Sequence, residues 1–224
     1  MKVQVHDFPP YSYIENGVWQ GSRVVLSQRL AEKLNCNLEY LNVPFGRALM
    51  LMNEGKLDFI FNLTKTSDRQ KTMLFIAAHH LEVLVLGVPS ANPQWLQLNS
   101  VAEIQHFPGH IALTTGSYLG PVLEKMRVDP IFATKFIEVA DRRAKNELVL
   151  KGRAQAVIED RDYLKYAIEN FSHYQHLVIN PLILSESAVY MALSRKSPLY
   201  QRHDDIVQAV LELQKNQLWP SIPD

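Results

Sequence analysis

Two stretches of this chain follow one plan, and that plan limits the fold more than any single motif does. Residues 47–62 read RALMLMNEGKLDFIFN, and residues 142–160 read RRAKNELVLKGRAQAVIED. Each begins with a basic residue and continues with apolar residues at helical spacing. A glycine, a basic residue and a short apolar run with a polar end follow. A helix feeding a strand too apolar to alternate points to a strand covered on both faces, as in a parallel sheet flanked by helices. The first copy ends at Asn62 and the second at Glu159 and Asp160. In open parallel sheets ligands collect at the carboxyl ends of the strands. Two units built alike would therefore each present polar groups at an equivalent place.

The rest of the chain keeps this rhythm. KVQVHDF alternates as a strand, FPPYSY breaks it and GVWQG reads as a turn. A helix is expected over SRVVLSQRLAEKLN and a strand over CNLEYLNV. GRALMLMNEG is a second helix, ending near Gly55, and KLDFIFN and EVLVLGVP are further strands. Beyond them, strands at HIALTTGS, KFIEVA, RAQAVIED and AVYMALSRKS alternate with helices at YLGPVLEKM, RRAKNELVLKG, RDYLKYAIENF and LYQRHDDIVQAVLELQKNQ. This is an α/β chain with a largely parallel sheet.

Charge narrows the partners. Twenty-three Lys and Arg balance twenty-three Asp and Glu. A general binder of nucleic acid or of anionic membrane would need a basic surplus. The one cysteine, Cys36, rules out an internal disulfide and reads as a small buried hydrophobe. No run reaches the roughly 18 apolar residues of a membrane span. MKVQVHDFPP has no apolar core of a leader, so the chain reads as cytosolic, or as a secreted one whose leader is not present. The histidines, including His79 with His80, lack acidic or cysteine companions at metal-site spacing, so neither a metal nor a cofactor is expected. No nucleotide-binding or nucleophile-elbow motif occurs either.

The polar run NLTKTSDRQK, residues 62–71, interrupts two apolar ones. Its hydroxyls and backbone N–H groups could surround an anion, and Arg69 offers a planar fork matched to a carboxylate. The same residues also suit a plain helix start, with Thr66 or Ser67 as cap and Arg69 in water.

Six segments in order resemble the bacterial family 3 extracellular solute-binding proteins, the amino-acid receptors of ABC importers. They are FPPYSYIENGVWQG, NEGKLDFIFN, LTKTSDRQKTMLF, LTTGSYLG, KGRAQAVIEDRDYLKY and ALSRKSPLYQRHDDIVQAVLEL. The most specific is Thr-x-Thr-x-x-Arg followed by an apolar strand start. The resemblance implies a two-lobed type II periplasmic-binding fold with two crossovers, each lobe a mostly parallel sheet flanked by helices. Lobe one would hold residues 1–88 and 186–224, and lobe two residues 89–185. It implies a non-catalytic, monomeric periplasmic receptor that takes a small polar carboxylate, most readily an amino acid, between closing lobes and serves an ABC permease. A sensory ligand-binding domain and a same-fold enzyme such as a dehydratase are the alternatives, the latter using Glu159 beside Asp160. Carried over residue by residue, Phe8 and Tyr11 would wall the ligand side chain, though both suit the core of the first lobe equally. Asn62 and Thr64 would bond the ligand's backbone, and Arg69 would clamp its carboxylate. Ser117 and Tyr118 would reach that carboxylate from lobe two, and Asp160 would pair with the ammonium. The chain departs from the family pattern at GSRVV, where two acids are missing and Arg23 reverses a sign, and at AAHHL.

Overall fold

The computed structural model describes residues 1–220 and 222. From the N-terminus come β1 (Lys2–Val5), β2 (Tyr13–Glu15), β3 (Val18–Gln20), α1 (Ser22–Lys33), β4 (Glu39–Asn42) and α2 (Phe45–Glu54). They are followed by β5 (Phe59–Thr64), α3 (Ser67–Gln70) and a long β6 (Met73–Pro89). Next come β7 (Ile111–Thr114), α4 (Pro121–Val128), β8 (Phe136–Val139), α5 (Arg142–Leu150), β9 (Ala156–Asp160) and α6 (Arg161–Asn170). The last are β10 (Leu177–Ile179), β11 (Ser185–Ser194) and α7 (His203–Lys215). The chain divides into two compact units. One is residues 1–81 with the chain from 188 on, and the other is residues 82–187.

In the first unit β1 lies between β4 and β5, parallel to both, and β11 runs antiparallel along the far side of β5. β5 shows why its sequence does not alternate. Phe59 and Phe61 enter the core beneath α1 and α7, among Leu26, Leu30, Ile206 and Val210. Ile60 and Leu63 enter the opposite core, with Ala48 and Met52 of α2. Both faces are covered, so a polar residue on either would lose water without gaining a partner. α2 stops at Gly55, whose left-handed φ of 74° and close approach to the Lys196 carbonyl suit only a residue without Cβ.

In the second unit β7 pairs in parallel with β8 and β9, and the later part of β6 runs antiparallel to both β9 and β10. Its core gathers Leu86, Ile111, Leu113 and Ile158 with Trp95 and Ile104. Trp95 and Ile104 come from short 3-10 turns.

Two local expectations need correction. GVWQG is not a turn: Val18–Gln20 is a strand of a hairpin with Tyr13–Glu15. The reversal sits one step earlier, at Asn16 and Gly17, both with positive φ (51° and 79°). Asn-Gly is the dipeptide that a tight hairpin of this kind favours. Likewise the apolar run after Thr72 and EVLVLGVP belong to one strand, β6.

Candidate functional site

The first unit assembles its polar groups where β1 and β5 end. After β1 the chain makes a tight loop in which Phe8 N donates to Ser12 O, while Tyr11 N and Ser12 N donate to Phe8 O. The loop is held against the start of α1, where Arg23 N donates to Tyr11 O at 3.0 Å. That approach is possible because residue 21 is glycine. Its φ is 112°, and a Cβ there would lie 2.4 Å from Tyr11 O. Gly21→Ala is therefore expected to lower stability by about 1–3 kcal/mol through strain and a displaced loop, measurable by urea denaturation. A loss under a few tenths would show that the loop yields freely.

This arrangement brings Arg23 onto the two aromatic residues. Its guanidinium carbon lies 4.7 Å from the Phe8 ring centre and 4.3 Å from that of Tyr11, both within cation–π range. Phe8 is fully buried and also stacks on His6, with ring centres 5.5 Å apart. The Tyr11 hydroxyl is 2.9 Å from His80 Nε2. Arg23 itself is 7% exposed. Phe8 and Tyr11 thus sit together, and the side chain over their rings is the protein's own. His79, next along β6, faces elsewhere. It meets the Trp219 ring edge-on, and burial first and the Arg23 charge second pull its pKa down to about 3.

Asn62 and Thr64 lie on β5, three and five residues after Phe59. The Asn62 Oδ1 is buried and receives no hydrogen bond within the chain. It shares with Arg23, Gln4, His6 and Ser12 a cavity of ≈ 10 Å³, the space of one water-sized sphere. Thr64 is buried, and its carbonyl accepts from Arg69 Nη1 at 2.8 Å. Thr66 caps α3 by accepting from Arg69 N at 3.3 Å. Cap and fork thus coexist: the hydroxyl that starts the helix also holds the backbone of the arginine.

In the second unit Ser117 and Tyr118 lie in the partly exposed loop after β7. The Ser117 carbonyl accepts from Arg127 Nη1 at 2.9 Å, and Arg127 also pairs with Glu138 at 2.8 Å. At the end of β9, Asp160 is 2% exposed and caps α6, accepting from Tyr163 N at 2.8 Å. Beside it is a buried ion cluster of Glu159, Lys145 and Arg142. Glu159 Oε2 meets Lys145 Nζ at 2.5 Å, and its Oε1 accepts from Arg142 Nε at 3.2 Å and from Asp160 N at 3.1 Å. Lys145 Nζ donates as well to Ile158 O at 2.9 Å. Burial holds the Lys145 pKa below the ordinary lysine value, with Glu159 opposing. For Arg142 burial is the largest single influence and acts downward, but Glu159, Tyr163, Asp160 and Glu82 together outweigh it and the pKa is raised. The signal was present in the sequence. Arg142 and Lys145 are three apart on a helix that leads directly into β9, so they share a face. Among the described residues no group of three or more His, Cys, Asp or Glu could hold a metal ion, and no helix is long and apolar enough to cross a membrane.

The model of one family, described as bacterial extracellular solute-binding proteins, family 3, matches residues 1–218. Among solved structures, holo ArgBP from T. maritima is similar with a TM-score of 0.79 at 20% identity, over 96% of this chain and 89% of that one. A histidine kinase sensor domain with similarity to periplasmic binding proteins gives 0.80 at 14%, over 97% and 91%. The ancestral amino acid-binding protein AncCDT-1, described as a precursor of cyclohexadienyl dehydratase, gives 0.75 at 16%, over 97% and 91%. At such identities the likeness shows a shared fold, the type II periplasmic-binding architecture. No curated protein matches the chain in sequence.

Proposed function

Because the chain belongs to the bacterial extracellular solute-binding proteins of family 3, we propose that the solute is a small polar carboxylate, most readily an amino acid. In this reading Arg69 of the first unit clamps the carboxylate, and Asn62 and Thr64 bond the ligand's polar backbone. Asp160 takes the ammonium, Ser117 and Tyr118 add contacts, and Phe8 and Tyr11 bound the side-chain region. The protein works as a periplasmic monomer that passes its solute to an ABC permease.

The observation that carries this reading is the anchoring of Arg69. Its guanidinium is tied to the Thr64 carbonyl and its backbone to the Thr66 hydroxyl, directly after a buried strand. A cation fixed in this way loses little freedom on meeting a carboxylate. A dehydratase-like role finds less support. Both Glu159 oxygens are already engaged by Lys145, Arg142 and the Asp160 N–H, which leaves neither to move a proton on a substrate. A sensory domain would use the same ligand groups and differ in what the chain is joined to.

The test is a thermal-shift screen of the twenty amino acids and small dicarboxylates, followed by Arg69→Ala. A ligand at a hundred times its Kd adds about 2.7 kcal/mol of stability. Arg69→Ala is expected to weaken that ligand by about 10- to 100-fold while leaving the circular dichroism spectrum intact. Unchanged affinity would remove Arg69 from the site.

A further inference from the structure

We propose that Arg23 fills, from within the chain, the place on Phe8 and Tyr11 where a ligand's cationic side chain would stack. The protein would then accept neutral or acidic solutes and reject those with a guanidinium or ammonium side chain. The inference rests on the reading of Phe8 and Tyr11 as walls of the solute site, and deepens it by naming the solute class.

Three observations carry it. First, the guanidinium carbon of Arg23 lies 4.3 Å and 4.7 Å from the two ring centres, so a single cation draws on both quadrupoles. Second, Arg23 is held in place. Its backbone N–H is bonded to Tyr11 O, Gly21 permits the close approach, and Tyr11 is tied to His80 and Phe8 stacked on His6. Third, Arg23 is 7% exposed, and its charge reaches His79. A second cation brought beside it would meet strong repulsion in a region with little water to screen it. One that displaced it would force a guanidinium out of a site built around it. An acidic or neutral side chain faces neither penalty.

The experiment uses the full chain, wild type and Arg23→Ala, with thermal shift and titration calorimetry. The probes are L-arginine, L-lysine, L-glutamate, L-glutamine and methylguanidinium chloride, each at about 10 mM. Wild type is expected to ignore arginine, lysine and methylguanidinium. Arg23→Ala leaves a guanidinium-shaped vacancy on the two rings. It is expected to regain several degrees of melting temperature with methylguanidinium, and to bind arginine at least about tenfold more tightly than wild type does. Should the alanine variant fail to fold, Arg23→Met keeps the length of the side chain without its charge. It is expected to lose the discrimination against lysine and arginine. The inference is overturned if wild type binds arginine or lysine as tightly as any neutral amino acid, or if the folded variants gain nothing from any cation. A wild type that answers to no solute, beside an alanine variant rescued by methylguanidinium, would instead overturn the solute reading and keep Arg23 as occupant of the rings.

Discussion

Replacing Glu159 by Gln is expected to destabilise the second unit by about 3–5 kcal/mol at pH 7, the loss typical when one partner of a buried ion pair is removed. Glu159 is 6% exposed and Lys145 3%, with Arg142 packed beside them. The amide keeps the shape and still accepts from the Asp160 N–H, so the packing changes little. What is lost is the charge that faces two buried cations. Asp160 and Glu82 act on Arg142 as well, but as weaker influences than Glu159. Lys145 has a way to limit the damage. Burial already depresses its pKa, and without Glu159 opposing that trend it gives up its proton more easily. The deficit of Glu159→Gln should therefore shrink as pH rises above neutrality, which a simple packing defect would not do. Chemical denaturation at several pH values measures both effects. The pair Glu159→Leu with Lys145→Met, which removes one of the two facing cations with the carboxylate and leaves Arg142 to Asp160 and Glu82, is expected to recover part of the loss. A deficit under about 1 kcal/mol, or one flat with pH, would mean that the cluster is hydrated and contributes little.

The alternation of helices and strands could be read from the sequence because it is written locally. The apolar spacing of α1 and α2, the glycine after α2 and the unbroken apolar run of β5 each lie within about a dozen residues of the element they define. The Thr66 cap and its hold on Arg69 are local in the same way, three residues apart. The short pieces did not show themselves. β10 has three residues, too few for a period, and exists because Leu177 to Ile179 pair with the end of β6. The hairpin of β2 and β3 is hidden because GVWQG, with a glycine at each end, reads as one turn, whereas only Asn16-Gly17 reverses the chain. Arg23 was legible as a departure from the family pattern, yet its partners were not. Phe8 and Tyr11 lie 15 and 12 residues before it, and only the folded loop against Gly21 brings them under its guanidinium. The spacing of Arg142 and Lys145 shows a shared face, but not that this face is buried. A lysine in RRAKNEL looks solvated, and what buries it is a strand that begins eleven residues later.

Acid is expected to unfold the first unit in part through His79. Its pKa falls from 6.5 to about 3 on folding, because burial penalises the imidazolium and the Arg23 charge adds to the penalty. A depressed folded-state pKa means that the unfolded chain takes up the proton first. The contribution of His79 is fully present above about pH 6.5 and declines as pH falls toward 3. Over that window stability should fall by about 1.4 kcal/mol per pH unit from this group alone, and by on the order of 4–5 kcal/mol across it. Carboxylates titrate in the same range, so the slope must be read as a difference. His79→Gln keeps a polar side chain of similar size without the titration. The free energy of unfolding, measured for both proteins from pH 7 to pH 4, should decline less steeply in the variant by nearly that amount per unit. Parallel curves would mean that His79 takes up a proton in the folded state as readily as in the unfolded one. Arg23 links this result to the solute site. If its charge helps keep His79 neutral, Arg23→Met should raise the folded-state pKa of His79, so that the acid-dependent loss stops at a higher pH and totals less. The two variants together separate the burial of the imidazole from the field of the guanidinium.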